Sequence, residues 1–289
     1  MMEKIQFQKP VMPGDPKTVC DFLAHYTELS KQKIKDAMKK GAVFLARPQG
    51  GRQRVRRATQ AVSPGFEVLL FYDPAILNLT APPAECMGDF HQYSVWYKPG
   101  GLLSQGSQWG DHCACLRQAE LFFSPRRKAF LIHRLDREAS GLMVIAHTRE
   151  VAARLSALFQ QRQVIKQYII EVFGLPGQKD RIGKISLALD GKPALTNYRV
   201  REYDLARNTA LVTVTIETGR THQIRRHFDS IGCPVVGDPV YGRGNHGDGG
   251  LRLCAYGLSF TCPVSGRLMR FALESRYFHW PVAPALLAD

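Results

Sequence analysis

The sequence predicts an α+β protein whose larger part is built on a mixed or antiparallel sheet. Short apolar strands recur through most of the chain, and helical segments are interspersed among them. With 289 residues, 45% of them hydrophobic and 22% charged, the chain can bury its own core as one large unit or as a large and a small one. We expect a small α/β domain at 1–75, a linker at 76–91 and a large domain at 92–289.

The first predicted element in the small domain is a basic helix. Ser30 can cap a helix over 31–40, and Gly41 is placed to end it. Three apolar residues at helical spacing would face the core of the domain: Ile34, Ala37 and Met38. A strand at 42–45, an arginine-rich hairpin at 52–57 and a strand at 68–71 are predicted next.

Positive charge is concentrated in this small domain. Residues 31–57 include ten Lys or Arg and one acid, Asp36, a local balance of 10 − 1 = +9, and the whole chain has a net charge of +14. A solvated face is the ordinary explanation for a lysine-rich helix. Here arginines follow within the same unit with almost no acids, which favours a surface that contacts RNA.

The order of these elements resembles the S4 RNA-binding domain. The matching stretches are residues 22–45 and 61–71. The sequence departs from the S4 pattern at Lys31, where an arginine is usual, and at Phe66, where an acid is usual. No Val-Asn-Gly follows the helix. We describe the predicted domain as S4-like.

The large domain has an unusual polar segment at 133–140, His-Arg-Leu-Asp-Arg-Glu-Ala-Ser, between predicted strands at 129–132 and 141–146. Loops at a sheet edge are where functional residues concentrate. The other predicted elements are strands at 93–97, 166–173 and 210–217 and helices at 111–123, 150–161 and 221–231, with Asp111 and Thr221 as helix caps. These residues alone indicate a basic enzyme or RNA-binding protein with a carboxylate in an arginine-rich cleft.

The segment His133-Arg134-Leu135-Asp136, followed by Ser140-Gly141-Leu142, resembles the motif of the RluA family of pseudouridine synthases. Ala139 stands where that family usually has threonine. Three further blocks match in the family's order: 96–103, 166–174 and 218–242. A block at 251–263 is similar as well, with Cys254 and Cys262 in place of histidines.

The resemblance implies that the chain isomerises a uridine of ribosomal or transfer RNA to pseudouridine, with Asp136 as the essential carboxylate. It implies that Arg225 is the cation that keeps Asp136 ionised. Because the uridine must leave its stack, the resemblance assigns Arg134 to the vacated space. Tyr168 would stack on the base and take the proton from C5, and Leu253 would close the apolar side of the pocket. Without the resemblance, Asp136 would be a turn-capping residue, Tyr168 a core aromatic and Arg225 a surface arginine.

The reaction breaks the C1′–N1 bond of uridine and rejoins the base through C5, so it needs no cofactor and no metal. One alternative is a non-catalytic RNA-binding protein of the same fold, but such a protein would lack the carboxylate. Another is a metal-dependent nuclease with Asp111, Asp136 and Asp238 as ligands. These acids are scattered singly among basic residues, whereas such sites need carboxylates close together.

The remaining composition predicts a cytoplasmic monomer whose partner is RNA, with no membrane partner. No apolar run approaches the roughly 20 residues of a membrane span. Seven irregularly spaced cysteines indicate reduced thiols, and the Cys113-x-Cys115 pair has no second pair at zinc-site spacing. Residues 237–250 and 281–289 are predicted to be irregular.

Overall fold

The computed structural model describes residues 3–242 and 249–282, so the segments 237–250 and 281–289 lie partly outside the described residues. The chain forms two compact units, one of residues 1–81 with 105–118 and one of residues 82–104 with 119–289. No helix in the described ranges is long and apolar enough to cross a membrane.

The first unit is a four-stranded antiparallel sheet with helices packed on it. Its elements are β1 (Ile5–Pro10), α1 (Val19–Tyr26), α2 (Lys31–Lys39), β2 (Val43–Ala46), β3 (Arg52–Arg54), β4 (Glu67–Tyr72) and α3 (Pro74–Leu77). The strand order is β1-β4-β2-β3. The predicted basic helix is confirmed as α2: the Ser30 side chain accepts from the Lys33 N–H, and Gly41 follows the helix with a φ of 82°. Its predicted core residues, Ile34, Ala37 and Met38, are fully buried.

Asp111 does not cap a helix, contrary to the sequence prediction. Helix α4 begins four residues later and spans Cys115–Phe122. The Asp111 carboxylate instead forms ion pairs with two arginines of the first unit, Arg56 and, at 3.4 Å, Arg54. Segment 105–118 therefore supplies the hairpin arginines with an acid that lies far from them in sequence, and the local excess of +9 is partly neutralised.

The second unit is built on a ten-stranded, mainly antiparallel sheet. After α4 its elements include α5 (Arg149–Gln160) and α6 (Gln223–Ser230). The strands are β5 (Glu85–Asp89), β6 (Tyr93–Lys98), β7 (Phe130–Leu131), β8 (Ser140–Ala146), β9 (Ile165–Phe173), β10 (Ile182–Ile185), β11 (Thr196–Asp204), β12 (Thr209–Ile216), β13 (Leu253–Thr261) and β14 (Leu268–Ala272). The order is β10-β11-β12-β9-β13-β8-β6-β5, with β14 beside β13 and β7 beside β8. The mixed sheet predicted from the sequence is confirmed, because β13 and β8 run parallel.

Two local predictions for this unit are wrong. The segment 76–91 is not all linker, since β5 pairs with β6 along the edge of the large sheet. Thr221 does not cap α6. The helix begins after His222, which is left-handed with a φ of 53°, and the buried Gln223 side chain accepts from the Arg220 N–H at 3.1 Å. Gln223 also donates to the Leu195 carbonyl at 2.9 Å. This tertiary contact fixes the start of α6 at Gln223, although the local sequence favours a helix capped by Thr221.

Candidate active site

One pocket in the second unit brings together all five residues predicted for the site. It leaves a cavity of about 110 Å³. The loop between β7 and β8 supplies Arg134 and Asp136, the middle of β9 supplies Tyr168, the start of α6 supplies Arg225, and the first residue of β13 is Leu253. These five residues are up to 119 positions apart (253 − 134 = 119), and the sheet order brings the middle of β9 beside the starts of β13 and β8 at the pocket.

Asp136 is held by one hydrogen bond from a buried cation. Nη1 of Arg225 lies 3.3 Å from Oδ2 of Asp136, and 20% of the Asp136 side chain is exposed against 1% for Arg225. Nε2 of His222 lies 3.9 Å from the other Asp136 oxygen. The partly exposed Asp136 carboxylate lines the cavity.

Arg225 is fixed mainly by a different acid, Asp238. The guanidinium donates through Nε at 2.6 Å and Nη2 at 2.7 Å to the two oxygens of Asp238, whose side chain is fully buried. Burial alone would favour the neutral arginine, but Asp238 and, more weakly, Asp136 raise the pKa of Arg225 overall. Burial likewise opposes charge on Asp238, while Arg225 and the backbone N–H groups of Val240 and Tyr241 lower its pKa overall. Both members of this pair are thus charged.

The backbone on both sides of Asp136 is anchored. Lys98 is completely buried, and its ammonium donates to four carbonyls, among them those of Ala139 at 2.6 Å and Arg137 at 3.2 Å. The Ser104 hydroxyl donates to the Leu135 carbonyl at 2.6 Å and accepts from the Leu135 N–H at 2.9 Å. These bonds restrict the loop to one conformation. Lys98 is therefore a structural residue of this loop.

The loop ends at a close approach of two parallel strands that glycine makes possible. Gly141 has a φ of 129°, and a Cβ at this position would lie 2.4 Å from the backbone oxygen of Ala255 on β13. Any side chain there would push β13 away from β8. Gly141 therefore allows β13, which supplies Leu253, to lie close to β8.

Tyr168 and Leu253 form an apolar wall opposite the charged residues. Tyr168 is 8% exposed and Leu253 is 4% exposed, on the adjacent strands β9 and β13. Burial, with a smaller contribution from the nearby Asp136, raises the pKa of Tyr168. Its phenol is therefore neutral at physiological pH. Arg134, in contrast, is exposed at the pocket.

Sequence reasoning missed two residues of this site. Asp238 was considered only as a metal ligand, and Tyr241 was not considered. The Tyr241 ring lies 5.2 Å from the Arg225 guanidinium, and its hydroxyl lies 3.2 Å from Nδ1 of His222. Both residues stand in the block 218–242, so this matching block was the available signal.

The acids proposed for the nuclease alternative do not form a ligand set. Asp238 is engaged by Arg225, and Asp111 belongs to the first unit, where it binds Arg54 and Arg56. Among the described residues there is no group of three or more His, Cys, Asp or Glu side chains arranged to hold a metal ion.

Comparisons with known proteins identify the family of the chain. Residues 92–230 match the model of the RNA pseudouridylate synthase family. An uncharacterised RNA pseudouridine synthase of Aquifex aeolicus is 31% identical over 90% of this chain and 91% of its own length. The dual-specificity RNA pseudouridine synthase RluA of Escherichia coli is 33% identical over 60% of this chain and 85% of its own. A ribosomal large subunit pseudouridine synthase D of Nitrosomonas europaea is 37% identical over 60% of this chain and 56% of its own.

Solved structures show the same fold. The human protein titled RNA pseudouridylate synthase domain containing 1 superposes with a TM-score of 0.57 at 22% identity, over 66% of this chain and 83% of its own. Human RNA pseudouridylate synthase domain containing 4 superposes with a TM-score of 0.53 at 23% identity, over 65% of this chain and 87% of its own.

Proposed function

Because the chain belongs to the RluA-type family of RNA pseudouridine synthases and isomerises uridine in RNA to pseudouridine, we propose that Asp136 is the catalytic carboxylate. One observation supports this assignment most directly. Arg225 pairs more closely with Asp238, at 2.6 Å, so Asp136 makes only one longer bond to this cation, at 3.3 Å, and keeps part of its carboxylate exposed to the cavity. The rival function, a non-catalytic RNA-binding protein of this fold, is not favoured.

The reaction requires a reactive carboxylate in a partly dry pocket. The C1′–N1 bond breaks, the uracil turns, a bond forms between C1′ and C5, and the proton on C5 is lost while N1 gains one. Asp136 can add to the ribose, add to the base or accept a proton, and each of these roles needs the ionised form. Nη1 of Arg225 lies 3.3 Å from Asp136, and 20% of the Asp136 side chain is exposed, so the carboxylate borders a partly dry pocket beside a cation.

The other pocket residues would bind and orient the target nucleotide. Tyr168 and Leu253 offer an apolar wall to the base, and aromatic side chains stack on bases that leave a helix. Arg134 is exposed and can enter the space that the uridine vacates. A Tyr168 phenol that is neutral can take the C5 proton only if it gives up its own proton in the same step.

We further propose that the substrate is a structured ribosomal or transfer RNA, bound partly through the basic surface of the first, S4-like unit. The names of two relatives refer to the large ribosomal subunit and to dual specificity, and they describe those proteins. Lys35 and Lys39 on α2 are exposed and suited to phosphate contacts. The monomeric state and the cytoplasmic location expected from the sequence stay predictions.

The test is to map pseudouridine in total RNA from cells with the gene, without it, and with the Asp136→Asn variant in its place. We expect at least one pseudouridine to disappear in the deletion strain and to return with the wild-type gene but not with the variant. A site restored by Asp136→Asn would contradict the assignment of the carboxylate. The position of the site identifies the RNA.

A further inference from the structure

A second cavity, which we call the flanking groove, adjoins the active-site pocket within the second unit. It holds about 490 Å³ and shares Arg134, Tyr168 and Arg220 with the pocket. Its other wall is formed by the end of α5 and the start of β9, with Phe159, Arg162 and Lys166. A polynucleotide whose uridine occupies the pocket must continue on either side of it, and this groove is directly beside the pocket.

The flanking groove has an excess of positive charge that the protein itself does not neutralise. Lys166 is half-buried, and burial and then the neighbouring Arg162 lower its pKa. Neither cation has an ion-pair partner among the residues that the structure describes. Glu217 is the one acid lining the described part of the groove; it is exposed, and Asn197 donates to it at 3.2 Å. The repulsion between two adjacent cations, one of them half-buried, is unfavourable in the protein without RNA. A bound anion would offset this repulsion.

An uncharged aromatic pair lies next to these cations. The rings of His133 and Phe159 are stacked, with centroids 4.4 Å apart and planes 16° from parallel. Burial lowers the pKa of His133 to about 3, and its Nε2 accepts the Val144 N–H at 3.0 Å, so His133 is neutral. The groove therefore combines a flat apolar surface with a site for negative charge, which is the combination that single-stranded nucleotides bind.

We propose that the flanking groove binds the nucleotide next to the target uridine, with its phosphate at Lys166 and Arg162 and its base beside the His133–Phe159 pair. The proposal rests on the proposed function, since it assumes that a uridine of RNA occupies the pocket. It assigns Lys166 and Arg162 to holding the RNA strand. It does not give them a part in the chemistry at Asp136.

The experiment measures RNA binding, so that it does not depend on turnover. The probe is the fluorescein-labelled heptanucleotide CCCUCCC, in which a single uridine fixes the register, with CCCCCCC as the reference. The full chain with Asp136→Asn is titrated at several salt concentrations, alone and combined with Lys166→Gln or Arg162→Gln. Lys184→Gln is the matched control, because this exposed lysine on β10 lines neither cavity.

We expect Lys166→Gln and Arg162→Gln each to weaken binding of CCCUCCC by about tenfold at low salt, as for loss of one hydrogen-bonded charge. Each should reduce the salt slope by less than about 0.7, the value for one neutralised phosphate on a single strand, because the other cation still faces the same phosphate. Lys184→Gln should change neither quantity. Equal effects of Lys166→Gln and Lys184→Gln, or equal affinity for CCCUCCC and CCCCCCC, would overturn the proposal.

A second set of probes tests contact with a particular phosphate. Each linkage of CCCUCCC is replaced in turn by an uncharged methylphosphonate. A methylphosphonate at a linkage adjoining the uridine should weaken binding to the Lys184→Gln protein more than binding to the Lys166→Gln protein, in which Arg162 alone still faces that phosphate. If the two effects add at every linkage, the groove does not hold that phosphate. Because these are binding measurements, they can fail while pseudouridine still forms, or succeed when it does not.

Discussion

Arg225 forms hydrogen bonds with two carboxylates, Asp238 and Asp136, with Glu138 farther away at 3.8 Å, and the surroundings of the first two differ. Asp238 is fully buried, accepts two short bonds from the guanidinium and accepts the backbone N–H groups of Val240 and Tyr241 at 2.9 and 3.0 Å. Asp136 is partly exposed and accepts one longer bond. Asp238, whose hydrogen bonds are complete, stabilises the fold. Asp136, which accepts fewer hydrogen bonds, remains available for the reaction. Substitutions of Asp136, Arg225 and Asp238 test this difference directly, and substitutions in the first unit test whether it holds for other charged residues.

The largest effect is expected at Asp136. Asp136→Asn keeps the shape and removes the charge, and Arg225 remains neutralised by Asp238. We expect the rate of pseudouridine formation to fall by at least about a thousandfold, the size expected when a group acting on the reacting atoms is removed. The free energy of unfolding should be unchanged within error. Single-turnover assays and urea denaturation check both statements, and a variant that loses stability as well as activity would place Asp136 among the structural acids.

Arg225→Met should lower both the folding stability and the activity. It leaves Asp238 buried with an uncompensated charge, which costs about 3–5 kcal/mol of folding stability, and it removes the cation beside Asp136. Activity should be lost even under conditions where the variant is folded. Arg226→Met is the matched control, since that neighbouring arginine pairs at the surface with the exposed Asp190 at 3.0 Å. Similar losses at the two positions would show that Arg225 is only one part of a basic surface.

The pH dependence of stability should report on Asp238. Its pKa is lower in the folded protein than the value of about 3.9 in an unfolded chain. The stability that it contributes is therefore complete above about pH 4 and is lost as the pH falls through the folded pKa. Asp238→Asn should lower the free energy of unfolding at neutral pH, and its curve should converge with that of the wild type in acid. Parallel curves down to pH 2 would show that Asp238 is not the acid-sensitive partner.

The sequence predicted the residues of the site better than their partners. Arg134, Asp136, Tyr168, Arg225 and Leu253 stand in matching blocks, and the structure brings all of them to one pocket. The resemblance also predicted that Arg225 lies beside Asp136, 89 positions away. It predicted neither the pair of Arg225 with Asp238, 13 positions away, nor the pair of Arg56 with Asp111, 55 positions away. Helical and strand periodicity describes neighbours within a few residues, so it contains no information on such pairs.

The start of α6 shows the same limit on a shorter scale. Thr221 has the side chain expected of a cap, but His222 stands at the cap position, and the first helical residue, Gln223, bonds to Thr218 and to Leu195, which lies 28 positions away. Helix α2 was predicted correctly because Ser30 and Gly41 act locally. Elements whose ends are fixed by their own residues can be predicted from sequence, and those fixed by distant contacts cannot.

Helix α2 of the first unit also has lysines with and without an ion-pair partner among the described residues. Substituting them should have the smallest effect of the variants considered. Lys31 pairs with Asp21 at 2.6 Å and Lys40 pairs with Asp36 at 2.7 Å. Lys35 and Lys39 are exposed, and the described residues provide neither with an ion-pair partner. If this surface binds RNA phosphates, the free lysines should contribute more than the paired ones.

Lys35→Gln with Lys39→Gln should therefore weaken RNA binding and flatten its salt dependence, by roughly 0.7–0.9 in slope for each phosphate that the variant no longer neutralises. The maximal rate at saturating RNA should fall much less than the affinity, because the catalytic residues lie in the other unit. Lys31→Gln is the paired control and should change the slope less.

Substitution is a cleaner test than deleting the domain before residue 84, since segment 105–118 would lose the unit it packs in, including the packing of Trp109 on Phe71. If the double variant keeps its salt slope, the helix is only a solvated face. If it binds as well as the wild type but turns over slowly, the first unit positions the uridine.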